Sequence, residues 1–337
     1  MTRFSAEIII DETRKDVFQQ RGEERMILTV TANPAIDKRY IVRNLLTGEV
    51  NRVQRVEMSA GGKGLNVART AHIAGEEVLA TGFLGGHAGE FVQETIKSEG
   101  VKEDFVWCQG ETRSCINIWD EERKVQTEVL EPGFSVTSSN EDALIAKFED
   151  RIEKAEVAAI SGSLPAGCCP ELYRKMLEIG EKAGKKVILD TSGEALREGI
   201  HYRPFMIKPN IDEIGQLVGR KLHPENREEI YAAADELHEM GIPVVVISLG
   251  ASGSLMSCQE GVFRAGVPKI EAVNTVGCGD SMIGGFTVGI SRGMSLPECL
   301  KFASAVSTAA AMTERTGFFR MEDMEKIAGE IEIDKIR

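Results

Sequence analysis

The sequence predicts an α/β protein in which a mostly parallel sheet is covered by helices on both faces. Three observations carry this. Short Val- and Ile-rich runs without polar alternation, clearest at Val244-Val245-Val246-Ile247, read as strands buried on both sides. Stretches with apolar residues at helical spacing alternate with those runs. Two distant glycine-rich turns, Gly61-Gly62-Lys63-Gly64 and Gly277-Cys278-Gly279, each stand where such a helix begins. A chain of 337 residues is also long enough to bury a large core.

In chain order, residues 1–25 are expected to be a peripheral extension to a domain spanning 26–337. Ile8-Ile9-Ile10 is too short for a signal-peptide core, and its flanks mix acidic and basic residues. Ile27 to Thr31 reads as a buried strand that stops before Asn33-Pro34, with Asp37 expected at its end. Residues 40–58 and 114–130 alternate apolar and polar side chains, which suits exposed strands. Helices are predicted at 65–75, 87–99, 140–154, 171–184, 225–240, 280–292, 297–313 and 321–329. Strands are predicted at 77–83, 157–161, 186–190, 205–208 and 243–249. In open sheets of this class, ligands bind beyond the carboxyl ends of the strands.

Composition narrows the function. The net charge of −13 argues against nucleic acid and against an anionic membrane surface as partners. No run of 18 apolar residues exists, so no transmembrane helix is expected. The seven cysteines are odd in number and form no Cys-x-x-Cys pair; without a secretion signal they read as reduced cytoplasmic thiols. The five histidines show no metal-ligand spacing.

The turn at Asn274–Ser281 concentrates the chemistry. Gly277 and Gly279 clear side chains from a helix entrance, where free N–H groups and the positive helix end suit a phosphate. Asp280 stands at that entrance, where a carboxylate can cap free N–H groups, the plain alternative to a chemical role. A carboxylate beside an anion hole is also placed to take a proton from a hydroxyl that attacks the anion. The upstream turn is not a nucleotide loop of the Gly-Lys-Ser/Thr type, because Gly64 follows Lys63. Nor does its spacing match a dinucleotide fingerprint, which speaks against a dehydrogenase.

Together the two turns resemble those of the ribokinase-like sugar kinases of the phosphofructokinase B family. Further matches are Thr29-Val30-Thr31-Ala32-Asn33-Pro34-Ala35-Ile36-Asp37, Gly82-Phe83-Leu84-Gly85-Gly86, Thr112-Arg113 and Ser161-Gly162-Ser163-Leu164-Pro165. Lys208-Pro209-Asn210 with Glu213, and Ser248-Leu249-Gly250, complete the series, which runs from Met26 to the C-terminus. The similarity is strongest to the branch holding 1-phosphofructokinase and tagatose-6-phosphate kinase.

The resemblance implies a three-layer α/β/α ribokinase-like fold in which the two exposed-strand segments, about 38–59 and 112–131, form an inserted β-lid, together with ATP and Mg²⁺ and a ketohexose phosphate as acceptor. Fructose 1-phosphate and tagatose 6-phosphate both fit. Asp280 is then the general base, and the N–H groups of Gly277, Cys278 and Gly279 hold the charge of the moving phosphoryl group. Asp37, Gly62 and Asn66 meet the sugar; Lys63, Arg113 and Arg52 meet its phosphate; Ser163 touches either. Lys208, Asn210, Ser248, Gly250 and Gly253 border the nucleotide, while Asn210 and Glu213 order Mg²⁺ through water. Thr313-Glu314-Arg315-Thr316-Gly317 loosely matches a K⁺ segment of some relatives, and pairing of two lids implies a homodimer. Cys278 departs from the family, which commonly has alanine there; a thiol at a helix N-terminus can have its pKa lowered and react, but a buried, inert thiol is the favoured reading. Rival readings are a kinase of a free sugar or of the 6-phosphofructokinase type, or a sugar-phosphate-binding protein without catalysis.

Overall fold

The computed structural model describes residues 26–337, so the extension at 1–25 lies outside the described residues. The described elements begin with β1 (Met26–Thr31), β2 (Ala35–Val42), β3 (Arg55–Gly61), α1 (Lys63–Ile73), β4 (Glu77–Gly85), α2 (Gly86–Ser98), β5 (Lys102–Glu103) and β6 (Val106–Cys108). Next come β7 (Arg113–Asp120), β8 (Val125–Leu130), α3 (Ser138–Ile152), β9 (Ala155–Ser161), α4 (Glu171–Lys182), β10 (Lys186–Asp190), α5 (Gly193–Gly199) and β11 (Met206–Ile207). The chain closes with α6 (Ile211–Leu217), α7 (Arg227–Glu239), β12 (Val244–Ser248), β13 (Ser254–Cys258) and β14 (Gly261–Ala265). After these come α8 (Cys278–Ser291), α9 (Leu296–Ala311), α10 (Met321–Glu330) and β15 (Ile333–Lys335).

All six residues of β1 are buried, as a strand covered on both faces requires. Its side chains sort the core into two layers. Ile27 belongs to the core layer that also holds side chains of α1, α2, α8, α9 and α10, while Leu28 and Val30 belong to the layer with α3, α4, α5, α6 and α7. The sheet runs β5-β4-β1-β9-β10-β11-β12 in parallel, with β6 also beside β4. It then turns antiparallel through β13, β14 and β15. This is the three-layer α/β/α fold expected, with an antiparallel edge that the sequence reading did not contain. The edge escapes notice because Ser254–Cys258 and Gly261–Ala265 lack the Val/Ile run that marks β12, and β15, with three residues, is too short to show a period. The seven-residue helices α5 and α6 were missed for the same reason.

A separate four-stranded sheet, β3-β2-β7-β8, forms the lid from the two predicted segments. Its first strand starts earlier than expected, at Ala35, so Asp37 lies on the lid rather than at the end of β1. Asp37 pairs in register with Ser59 and Cys115, so these three share one face of the lid. Lys38, Met58, Ile116 and Val129 form the neighbouring row on the opposite face. Among the described residues no helix is long and apolar enough to cross a membrane, and all seven cysteines are free.

Candidate active site

Helices α1 and α8 both start at the carboxyl edge of the parallel strands, each on a glycine. Gly62 caps α1 with φ 113°, and Gly277 caps α8 with φ 77°, angles that L side chains rarely adopt. Neither N-cap offers a side chain to the helix. A Cβ on Gly64 would press into the Val30 carbonyl, so the first turn rests directly on β1. Of the two readings of Asp280, the helix cap is not formed. Asp280 is the third residue of the helix and accepts a hydrogen bond from Asn66 Nδ2 at 2.8 Å. That bond joins turns 214 positions apart in the chain. The Cys278 N–H leans back to the Thr275 carbonyl at 3.4 Å, longer than an ordinary hydrogen bond.

Charge gathers around this junction. Lys63 Nζ stands 3.5 Å and Lys208 Nζ 3.7 Å from the Asp190 carboxylate at the end of β10. Asp280 is buried, and burial, followed by the Asp190 charge, pushes its carboxyl up to about 6; Lys63, Asn66 and Lys208 oppose the shift. The carboxylates of Asp190, Asp280 and Glu213 outweigh the burial of Lys63 and hold its ammonium above the usual lysine range. The bare Cα of Gly279 leaves room for Lys208, whose Nζ lies 3.1 Å from where a Cβ would stand.

The remaining predicted residues spread around the cleft. Asp37 lies over Gly61, where a Cβ would overlap its carboxylate. Burial raises Asp37 to about 6 against the pull of Arg69 and Arg113. Arg113 is tied at the root of the lid, donating to the carbonyls of Asn33 (3.0 Å) and Glu131 (3.2 Å). Lys63 therefore sits with Asp190, and Arg113 with Asp37, rather than the two cations sharing one partner. Ser163 is exposed just beyond β9, next to Gly162, whose position lies against Lys63. Arg52 is exposed between β2 and β3 and takes no part in these bonds.

Asn210 and Glu213 form a reciprocal capping box on α6, with bonds of 2.8 and 2.9 Å. Ser248 bridges to Asn210 at the end of β12. Gly250 is in open space, whereas a Cβ on Gly253 would run into the Ala265 carbonyl, so Gly253 also serves the hairpin of β13 and β14. Cys278 follows the inert reading rather than the reactive one: burial, with Asp280 nearby, pushes the thiol up to about 11. Its Sγ faces the Asn274 carbonyl at 3.8 Å.

Two residues in this network were not singled out from the sequence. Asp190 ends a predicted strand at the carboxyl edge, a position that the strand rule alone would flag. Arg69 is fully buried one helical turn after Asn66 and donates to its side-chain oxygen at 3.0 Å. Its helical pattern reads as polar surface, so only packing reveals it.

With this geometry in hand, comparison with known proteins is decisive. Residues 30–323 match the model of the pfkB family of carbohydrate kinases. The chain belongs to that family. It is 28% identical to phosphofructokinase-2 from Escherichia coli, solved in complex with potassium, with a TM-score of 0.84 over 91% of this chain and 98% of that one. It is 26% identical to a possible 1-phosphofructokinase from Thermotoga maritima, with a TM-score of 0.83 over 93% of this chain and 100% of that one. Arabidopsis thaliana ribokinase, solved with ribose and ATP, shares the fold at 21% identity and a TM-score of 0.75, covering 91% of this chain and 99% of that one. This pfkB chain is therefore a sugar kinase with phosphofructokinases among its structural neighbours.

Proposed function

We propose that this pfkB kinase transfers the γ-phosphoryl group of ATP to a hydroxyl of a ketohexose monophosphate, fructose 1-phosphate or tagatose 6-phosphate. The observation that carries the reading is the Asn66–Asp280 hydrogen bond, which puts both glycine turns and two lysines in one cleft. Asp280 accepts the proton of the attacking hydroxyl; a carboxyl near 6 is ionised, yet still basic, at neutral pH. The N–H groups of Gly277, Cys278 and Gly279, with the start of α8, face the charge of the phosphoryl group in flight. Lys63 and Lys208 add cationic charge on the same side.

Asp37, Gly62 and Asn66 orient the sugar. Arg113 answers the phosphate that the acceptor already carries, with Ser163 and the lid residue Arg52 completing that end. Ser248, Gly250 and Gly253 border the nucleotide. The Asn210 and Glu213 oxygens are hard donors that accept only one capping bond each, which suits water molecules of a hydrated Mg²⁺. Such an ion, when bound, neutralises charge on the ATP phosphates. No covalent enzyme intermediate is needed, since positioning and electrostatics supply the acceleration. Residues 26–337 constitute the kinase unit. The 313–317 loop, whose Thr316 lies against Gly277, is the proposed place for a monovalent cation.

The lid supports a dimer of this chain. Val56, Met58 and Val129 are each more than half exposed on the face opposite Asp37, an apolar surface that a second lid would cover. Phosphofructokinase-2 has been solved in complex with fructose-6-phosphate, which keeps that sugar as the second reading. Comparing kcat/KM for fructose 1-phosphate, tagatose 6-phosphate, fructose 6-phosphate and ribose tests the proposal. One of the first two should lead; a lead by fructose 6-phosphate or ribose would replace it.

A further inference from the structure

Resting on the kinase reading, we propose that Arg69 is a positioning residue: it locks the Asn66 amide so that its N–H, not its oxygen, faces Asp280. Arg69 lies between α1, α2 and the loop at 313–317, and only 1% of it is exposed. Its Nε donates to Glu99 (2.8 Å), its Nη2 to the Ala60 carbonyl (2.8 Å), and its Nη1 to both Asn66 Oδ1 (3.0 Å) and the Thr316 carbonyl (3.3 Å). The guanidinium also lies over the Phe318 ring, 4.9 Å from its centre.

A guanidinium carries donors only, so the Asn66 atom that faces it must be the oxygen. The amide nitrogen is thereby turned to Asp280, 2.8 Å away. An ionised carboxylate only accepts, so this orientation suits the form that a base needs. If the amide turned over, oxygen would face oxygen, an arrangement that only protonated Asp280 tolerates. Helix packing alone gives no reason for a cation here, because an aliphatic side chain fills the same space without the cost of burying charge. The groups facing Asp280 are Asp190 from β10, Lys63 from α1, Lys208 after β11 and the Cys278 thiol on α8. Among the described residues, Asn66 is the one side chain hydrogen-bonded to it. Around Arg69 stand Glu99, Arg315 and Asp37.

Removing Arg69 need not strip Glu99 of its partner, since Arg315 also donates to Glu99 at 2.9 Å. Arg69→Met in the full chain, free of nucleotide and sugar, is therefore the variant to examine. Carbon-detected NMR of ¹³C-aspartate-labelled protein follows the Asp280 carboxyl from pH 4 to 9, with Asp280→Asn assigning the signal. The expected midpoint in Arg69→Met lies at least about one unit above the unmodified chain, the size of a lost hydrogen bond to a charged group. The acid limb of kcat should move with it while KM for ATP stays put. Glu99→Gln, which leaves the Arg69–Asn66 bond in place, should show no rise. An Arg69→Met midpoint within about 0.3 unit of the unmodified chain would overturn the proposal and leave Arg69 a packing residue, whatever its melting temperature. Should that variant not fold, Arg69→Met with Glu99→Gln removes the buried pair together and decides in the same way. The titration needs no substrate. A chain that phosphorylated none of the sugars above would overturn the function proposed there, while the NMR midpoint would still judge Arg69.

Discussion

Helices α1 and α8 open with the same device and carry opposite charge. Each begins on an uncapped glycine, and they lie side by side, with Gly284 of α8 against Thr70 and the Val67 carbonyl of α1. The first residue of α1 is Lys63, a cation at the positive end of a helix, where the dipole disfavours it. The third residue of α8 is Asp280, favoured by its dipole but buried next to Asp190. Each charge is tolerable because the other helix supplies a counter-charge or a hydrogen bond: Asp280 helps to hold Lys63 protonated, and Lys63 and Asn66 help to keep Asp280 ionised. Neither turn is electrostatically complete alone, which is why two loops this far apart in sequence work as one site.

Removing the acidic half should have the largest effect. Asp280→Asn is expected to lower kcat by at least about 10²–10⁴-fold with ATP binding nearly intact. In the unmodified enzyme, kcat/KM should rise with pH through about 6, the folded-state value for Asp280. The same group loads stability. Its carboxyl holds a proton more tightly when folded (about 6) than at the ordinary value of 3.8, so the native state loses stability as pH rises through that window. The loss amounts to at most about 3 kcal/mol, and Asp280→Asn should recover part of it at pH 8 but none at pH 3. Denaturant titrations at the two pH values check the sign; equal differences would separate Asp280 from the pH dependence.

Removing the basic half should matter less. Lys63→Met is expected to lower kcat about tenfold or more, the worth of a charge-assisted hydrogen bond to the phosphoryl group in flight, with KM for the acceptor little changed. It should also move the acid limb of kcat/KM upward, because Asp280 loses a cation. An unmoved limb would mean that the two turns act independently.

The smallest effect belongs to Cys278→Ala, for which kcat should stay within about threefold, since a methyl group retains the helix start. With its thiol pushed up to about 11, Cys278 should react with iodoacetamide more slowly than free cysteine at pH 7.5, read by mass spectrometry. Rapid labelling blocked by ATP would restore the reactive thiol that the helix-start argument alone suggested.

Cys278, for which the reactive and the inert reading both stood open, shows where sequence reading stops. A helix N-terminus is visible in Gly277-Cys278-Gly279, and the dipole rule follows from it. Desolvation is not visible, because it depends on which other segments cover the thiol. Asp280 teaches the same point: its placement at a helix start is legible, but its partner is Asn66 rather than its own helix backbone. Asn210 and Glu213 were marked in the sequence for Mg²⁺, and the reciprocal capping box that they form became visible in the fold. Asp37 was assigned to the wrong strand because Asn33-Pro34 reads as an end, while in the fold it is a bend from β1 into β2.

By itself the sequence determined the parallel α/β core, the split lid and the two glycine turns, because each rests on local periodicity or on a short motif within one turn of helix. Only the tertiary structure decided the antiparallel edge, the Asp190 link between Lys63 and Lys208, and the chain from Glu99 through Arg69 and Asn66 to Asp280. Those features depend on burial and on contacts between distant segments, and burial sets the charge of a carboxylate as strongly as its chemical type does.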